Sequence, residues 1–333
     1  MKIHDRMINV IFDTNAVRDF VAGVQQDELE AYAKKMAVQF DAKGIRLMIS
    51  PIVIMELLCH LSDVSDHDYS VSFKAIKALM LTQEYQLKGG PRGMMSPGEL
   101  LVINEIYHMK CDGRELMYSS MMGFAEEISH RTIDNLPDLH TADGGFISDY
   151  VADIEKSFAE QIRDVCKQTE WLASVKGEQD FDSFLNTPDQ ECLLAVYFTR
   201  TSYNLLMNEG KLPDYKKFLP PYAPQTPENF LRGIEFANKM NEGNKEVIRR
   251  YPAFIALAKE VVRKIHQNKQ ISDKKLHNFI WDINLMFHIN DHTVNKEPFI
   301  FVTSDKAMLV ASGAFHDQGN VMNYDEFTNH FDL

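Results

Sequence analysis

The sequence predicts an α/β protein: a small parallel sheet carrying a large, mostly helical insertion. Three observations lead there. Short continuous apolar runs, each followed by helical periodicity, occur at both ends of the chain, over roughly 1–63 and 272–333. The stretch 64–271 between them is almost entirely helical in pattern. Strand–helix–strand order implies parallel strands with helices packed on them, and 333 residues exceed what one compact core usually holds.

Residues 8–12 (Asn9 to Phe12 at their heart) form an apolar, partly β-branched run, as expected of a buried parallel strand. Helical spacing follows over 16–41, through Val17, Phe20, Leu29, Tyr32 and Met36. A second short strand is expected over 45–49. Ser50-Pro51 then has the form of an N-cap with proline at the first helical position. Helices are expected over 71–86, 97–109, 113–130, 146–174, 190–208, 228–242 and 252–269. Lys88 to Gly93 reads as a loop: no strand precedes its glycines and no GK[ST] follows. Residues 211–227 hold Pro213, Pro220, Pro221, Pro224 and Pro227 and read as an irregular connector, with Thr226-Pro227-Glu228 restarting a helix. The chain then reads as a helix over 274–290, a strand over 298–303, a short helix over 305–313 and a last strand from Val321.

Composition narrows the function. The hydrophobic fraction of 45% suits a packed core, and no run approaches a membrane span. The N-terminus shows no apolar signal segment, and Cys59, Cys111, Cys166 and Cys192 form no CxxC pair, so a cytoplasmic protein with free thiols is expected. The net charge of −13 argues against bulk nonspecific affinity for nucleic acid, but the charge is segregated. Residues 126–191 carry 16 Asp+Glu against 5 Lys+Arg, and residues 241–276 carry 9 Lys+Arg against 4 Asp+Glu. The basic stretch includes Arg249, Arg250, Arg263 and Lys264. It is either a solvated helix face or a surface that tracks phosphates. In the second case the acidic segment should face away from it.

Four carboxylates stand out because each sits beside a strand or within an apolar helix. Asp13 ends the first apolar run, where open α/β sheets place ligands, and could equally cap the next helix. Glu56 has Ile52, Val53 and Cys59 as turn neighbours. Asp282 lies on a helix face with Phe279, Met286 and Ile289, whereas Asp291 falls on the opposite side. Asp305 follows the strand Phe299–Val302 and could also serve as a cap. Isolated carboxylates in apolar surroundings are costly unless compensated. Four together suggest one shared divalent metal, and hard oxygen ligands suit Mg²⁺ or Mn²⁺. The twelve histidines show no HxH or HExxH grouping.

The strand ending in Asp-Thr-Asn, the Ser-x-x-x-x-x-Glu helix and the Val-Thr-Ser-Asp-Lys after a late strand resemble the PIN-domain nucleases. In that family three or four acidic residues hold Mg²⁺ or Mn²⁺ and hydrolyse phosphodiesters, usually in RNA. The resemblance implies a PIN-like core over 1–63 plus 272–333, with 64–271 as a helical subdomain departing from the family pattern. It assigns Asp13, Glu56, Asp282 and Asp305 as catalytic metal ligands, with Asn15 and Thr303 supporting them. It implies a metal-dependent endoribonuclease that cuts single-stranded RNA to leave a 5′-phosphate and a 3′-hydroxyl, alone, as a homo-oligomer or with a cognate protein. Two alternatives compete: a DNA-directed nuclease, and an inactive nuclease-like scaffold that binds RNA or a protein. A phosphatase forming an aspartyl phosphate would want a DxD after the first strand, which Asp13-Thr14-Asn15 lacks.

Overall fold

The computed structural model describes residues 7–87, 93–136, 143–177, 180–290 and 298–333. It is an α/β protein in which helices far outnumber strands. The sheet contains β1 (Ile8–Phe12), β2 (Ile45–Met48), β3 (Phe299–Val302) and β4 (Val321–Met322), all parallel, in the order β2-β1-β3-β4. β1 is central. Val10, Ile11 and Phe12 are buried, which is why the run reads as continuously apolar rather than alternating. The chain leaves β1 toward β2 on one side, while β3 and β4 lie on the other. The strand order therefore reverses between β1 and β3, and open sheets form their ligand crevice at such a point, outside the carboxyl ends of the strands.

The expected helix over 16–41 is two helices, α1 (Thr14–Phe20) and α2 (Leu29–Ala42). Gly23, with φ of 77°, lets the chain turn between them in a conformation that other residues rarely adopt. α3 (Pro51–Leu61) starts with proline at its first turn. Ser50 sits at the N-cap position, but its Oγ lies 3.2 Å from Nε2 of buried His288 instead of capping the helix. The insertion contains α4 (Tyr69–Leu87), α5 (Gly98–Ile106), α6 (Asp112–Ser129), α7 (Asp143–Lys176), α8 (Phe181–Leu185), α9 (Pro188–Asn208), α10 (Pro227–Arg250) and α11 (Pro252–Gln267). α10 runs past the expected 242 and stops only before Pro252, which begins α11.

α12 (Asp273–Leu285) ends in a 3₁₀ turn at Met286–His288, so the expected helix over 274–290 is shorter. α13 (Lys306–Ser312), α14 (Ala314–Asp317) and α15 (Tyr324–Phe331) complete the chain. α15 carries a capping box between Asn323 and Glu326, a signal present in the sequence. One contiguous apolar core joins sheet and insertion: α4 packs on α2, α3 and β2, and α7 packs on α3, α11 and α12. The Lys88–Arg92 loop and Asp291 lie outside the described residues.

Candidate metal centre

The crevice at the strand reversal is where the sequence-predicted acids gather. Asp13 follows β1 directly and is 2% exposed. Both of its oxygens are engaged: Oδ1 accepts from the Ala16 backbone N–H at 2.6 Å, capping α1, and Oδ2 accepts from the Thr303 hydroxyl at 2.5 Å. Capping and site geometry are thus one arrangement. Asp305 likewise caps α13, accepting from the Met308 N–H at 2.9 Å, while its own N–H donates to Thr303 Oγ1 at 3.1 Å. Thr303 therefore links the two strand-end aspartates, as a supporting residue would.

Glu56 enters from α3. Its Oε2 accepts from the Thr14 hydroxyl at 2.5 Å. Thr14, not the exposed Asn15, is the residue of the Asp-Thr-Asn run that makes this contact. Asp282 enters from α12, which packs against α3. Glu56 and Asp282 are densely surrounded but reach solvent at one edge.

The electrostatics tie the four together. Burial pushes Asp13 up to about 7; the Thr303 and Ala16 hydrogen bonds oppose this, and the Glu56 and Asp305 charges add to it. Burial raises Glu56 as well, against the Thr14 hydroxyl, Arg18 and His60. Asp282 is raised well above the carboxylate range by burial, then by Asp305, Glu56 and Asp13, with Lys264 opposing. Glu56 and Asp305 bear on Asp13, and all three bear on Asp282, so the four carboxylates lie within electrostatic reach of one another. Like charges this close disfavour full ionisation unless a cation compensates them.

No three of these four carboxylates have ligand atoms all within 4.8 Å of one another, so they are not set as a closed metal cage. Among the described residues, the group whose ligand atoms all lie within 4.8 Å of one another is a different one, His60, Asp66 and Asp68. It sits just past the end of α3, one helical turn from Glu56. There Nδ1 of His60 lies 3.0 Å from Asp66 Oδ2, and Asp68 is paired with Arg18 at 2.9 Å. An open set is compatible with Mg²⁺, which is held by one or two carboxylates and keeps several waters. The donor set is all oxygen, hard and anionic, and so fits Mg²⁺ or Mn²⁺.

Much of the basic stretch is ion-paired, partly with acids of its own helices, as on a solvated helix face, and partly with the acidic segment. Arg249 and Arg250 pair with Glu246 at 2.7 and 2.9 Å, and Arg250 also meets Glu105 at 3.2 Å. Arg263 pairs with Asp182 at 2.7 Å and with Glu260. Lys259 pairs with Glu191 at 2.8 Å, and Lys269 with Glu170. Asp182, Glu191 and Glu170 all belong to the acidic segment 126–191. That segment does not face away: it neutralises much of the basic stretch, and its helix α7 packs on α3 and α12. Glu155 of α7 accepts from Trp281 Nε1 at 3.0 Å and adds to the charge felt by Glu56.

Lys264 is the member of the stretch turned toward the crevice. Its Nζ lies 5.0 Å from the centre of the Phe279 ring and 4.0 Å from Glu260, and its charge opposes the rise of Asp282. A groove of about 650 Å³ between α11 and α13 starts one residue past Asp305, at Lys306, and is also lined by Lys259 and Arg263. Sequence reasoning missed Thr14, Arg18 and His60. The i,i+4 spacing of Glu56 and His60 on one helix was the available signal. No helix among the described residues is long and apolar enough to cross a membrane. No family model, curated protein or solved structure matches the chain.

Proposed function

We propose that this chain is a Mg²⁺- or Mn²⁺-dependent phosphodiesterase with a PIN-like core, acting as an endoribonuclease on single-stranded RNA. What supports the reading is that four carboxylates, following β1 and β3 and within α3 and α12, lie within one another's electrostatic reach. Their mutual repulsion has no structural benefit, and a divalent cation relieves it. Asp13, Glu56, Asp282 and Asp305 would hold the metal. Bound there, Mg²⁺ or Mn²⁺ supplies a water of lowered pKa and neutralises charge on the leaving oxygen.

The chain's own groups prepare that chemistry. Thr303 fixes the Asp13 carboxylate and, through the Asp305 N–H, the loop that carries the fourth acid. Thr14 fixes Glu56, and the Arg18 and His60 charges favour its ionised form. Lys264 offers a cation beside Asp282, and Lys306 lines the adjoining groove, along which a phosphate backbone can leave. The DNA-directed alternative shares every one of these residues. RNA comes from the family resemblance.

The test is cleavage of a 5′-labelled single-stranded RNA, beside the same sequence as DNA, with Mg²⁺, Mn²⁺ or EDTA. Metal-dependent RNA products ending in 5′-phosphate and 3′-hydroxyl are expected. Should divalent ions neither raise the melting temperature nor support cleavage of either strand, the metal centre is refuted and the scaffold reading stands.

A further inference from the structure

A second cavity, of about 600 Å³, lies where the helical insertion meets α3 and α12, a volume suited to a drug- or nucleotide-sized molecule. α3, α5, α6, α7, α9 and α12 wall it. Ile280 and Asn284 face it from α12, and each stands about 200° round the helix from Asp282. Trp281 of α12 and Ile52 and Met55 of α3 line it as well, so the cavity adjoins the helices that carry Asp282 and Glu56 without including either carboxylate, and the proposed cleavage makes no use of it.

Its polar wall is costly as pure architecture. The Arg114 side chain is 18% exposed, yet its nearest carboxylate oxygen, Glu99 Oε1, is 3.9 Å from Nε. A charge-assisted hydrogen bond would be about 2.7–2.9 Å. Glu99 Oε1 instead accepts from the Tyr118 hydroxyl at 2.5 Å. The Arg114 guanidinium is left with the Tyr150 phenol and, at 3.4 Å, the Met117 sulfur. Arg200 of α9, an exposed residue whose guanidinium carbon lies 6.0 Å from the centre of the Tyr215 ring, also lines the cavity and pairs with no carboxylate among the described residues. Asn204 Oδ1, on the same helix, is buried with no hydrogen-bond partner. Arg114, whose guanidinium carbon also lies 4.9 Å from the centre of the Tyr150 ring, has no close carboxylate, and the amide oxygen of Asn204 has no partner at all, so both retain hydrogen-bonding capacity for a ligand.

The rest of the wall combines the rings of Tyr118, Tyr150 and Trp281 with aliphatic side chains and two carboxylates, Glu99 and Asp153, so a base rather than a bare anion would supply much of the contact. We infer that this cavity binds a nucleoside monophosphate: Arg114 and Arg200 take the phosphate, the rings take the base, and the Asn204 amide reads a polar edge. Arginine matches the geometry of phosphate oxygens, and every base has a face to stack. Inorganic phosphate would leave the aromatic part of the cavity unfilled.

Calorimetry and thermal melting of the full chain in EDTA, with AMP, GMP, CMP and UMP in turn, test the inference. EDTA removes any cation that could carry a nucleotide to the four carboxylates, so the outcome is independent of whether the chain cleaves RNA. At least one nucleoside monophosphate should bind saturably and raise the melting temperature. Its nucleoside and inorganic phosphate should each bind about tenfold or more weakly, because each lacks one half of the recognition. Arg200→Gln and Asn204→Leu should each cost about tenfold in affinity. The unliganded melting temperature of Asn204→Leu should hold or rise, because that change removes an unpaired acceptor. Absence of binding at millimolar concentrations overturns the inference. So does binding that both variants retain at wild-type strength, or inorganic phosphate binding as tightly as the nucleotide.

Discussion

Two regions of this molecule handle charge in opposite ways. At the interface of α7, α8, α9 and α11, acids from one part of the sequence meet bases from another: Arg263 with Asp182, Lys259 with Glu191, Lys269 with Glu170. At the strand reversal, four acids meet one another, and the nearby cations, Arg18 and Lys264, are themselves shared with Asp68 and Glu260. The first arrangement is self-sufficient; its pairs are partly exposed and each contributes only about 0–1 kcal/mol. The second is electrostatically unfavourable and is held in place by backbone caps and threonine hydroxyls. Charge that satisfies itself marks structure here, and charge left in mutual repulsion is what the proposed cation would relieve.

The sharpest way to break this contrast is to remove an acid from each region. Asp13→Asn or Asp305→Asn should abolish metal-dependent cleavage, by more than the ~10–100-fold typical of losing a supporting partner. Asp182→Asn, which removes an acid from the self-paired region, should leave cleavage within a few-fold of wild type. Equal cleavage by wild type and both site variants would assign the activity to a contaminant. Next in size come the hydroxyls: Thr14→Val and Thr303→Val should each lower activity ~10–100-fold with the fold intact. An inert Thr14→Val would mean that the position of Glu56 does not depend on its 2.5 Å hydrogen bond.

Stability against pH sharpens the contrast without any substrate. Asp13 titrates near 7 in the folded chain, above its ordinary value of 3.8. Between those values the folded state binds more protons than the unfolded state, so stability falls as pH rises from about 4 to 7 and stays lower above that. The loss is at most about 4 kcal/mol for a rise of this size. Without divalent ions the melting temperature should therefore drop across that window. Mn²⁺ should restore it, and Asp13→Asn should shrink it, leaving the part due to Glu56 and Asp282, while raising the melting temperature at pH 8. A melting temperature that climbs from pH 4 to 7 in both proteins would show that the four acids do not repel one another as their placement implies.

Much of the fold was legible because its signals are local. β3 is a continuous apolar run, β1 and β2 are each interrupted by one polar residue, Asn9 or Arg46, and Pro51, Pro227 and Pro252 each mark a helix start. The four site acids were legible for a related reason, since a carboxylate in an apolar window is conspicuous without knowledge of its neighbours. The partners were not. Nothing local says that Thr303 reaches Asp13 across 290 positions, or that Glu191 meets Lys259 rather than solvent. Charge segregation between 126–191 and 241–276 was visible, but its meaning depended on the packing of α7, α9 and α11, which one-dimensional periodicity does not encode. The break after Phe20 was missed because apolar spacing continues across it, while Gly23 alone carries the turn.

The smallest expected effect concerns the cations themselves. If every base in the stretch contacted phosphate, neutralising Arg249, Arg250, Arg263 and Lys264 would flatten the salt dependence of single-strand binding by about 0.7 in log–log slope per residue. The ion pairs argue for an unequal division. Arg249 and Arg250 are held by Glu246, and Arg263 by Asp182 and Glu260, so replacing any of these removes a charge already balanced. Lys264 is 4.0 Å from Glu260, and its charge acts on Asp282. Lys264→Gln alone should therefore reduce the slope by about 0.7, and Arg249→Gln with Arg250→Gln should leave it unchanged. Arg263→Gln should change it less than Lys264→Gln does, unless Asp182 is replaced as well, which frees the arginine to meet the strand. Asp182→Asn should then bind RNA more tightly than wild type at low salt, with a steeper slope. Equal slope changes for Arg249 and Lys264 would show that the intramolecular pairs open on binding and that the stretch acts as one surface.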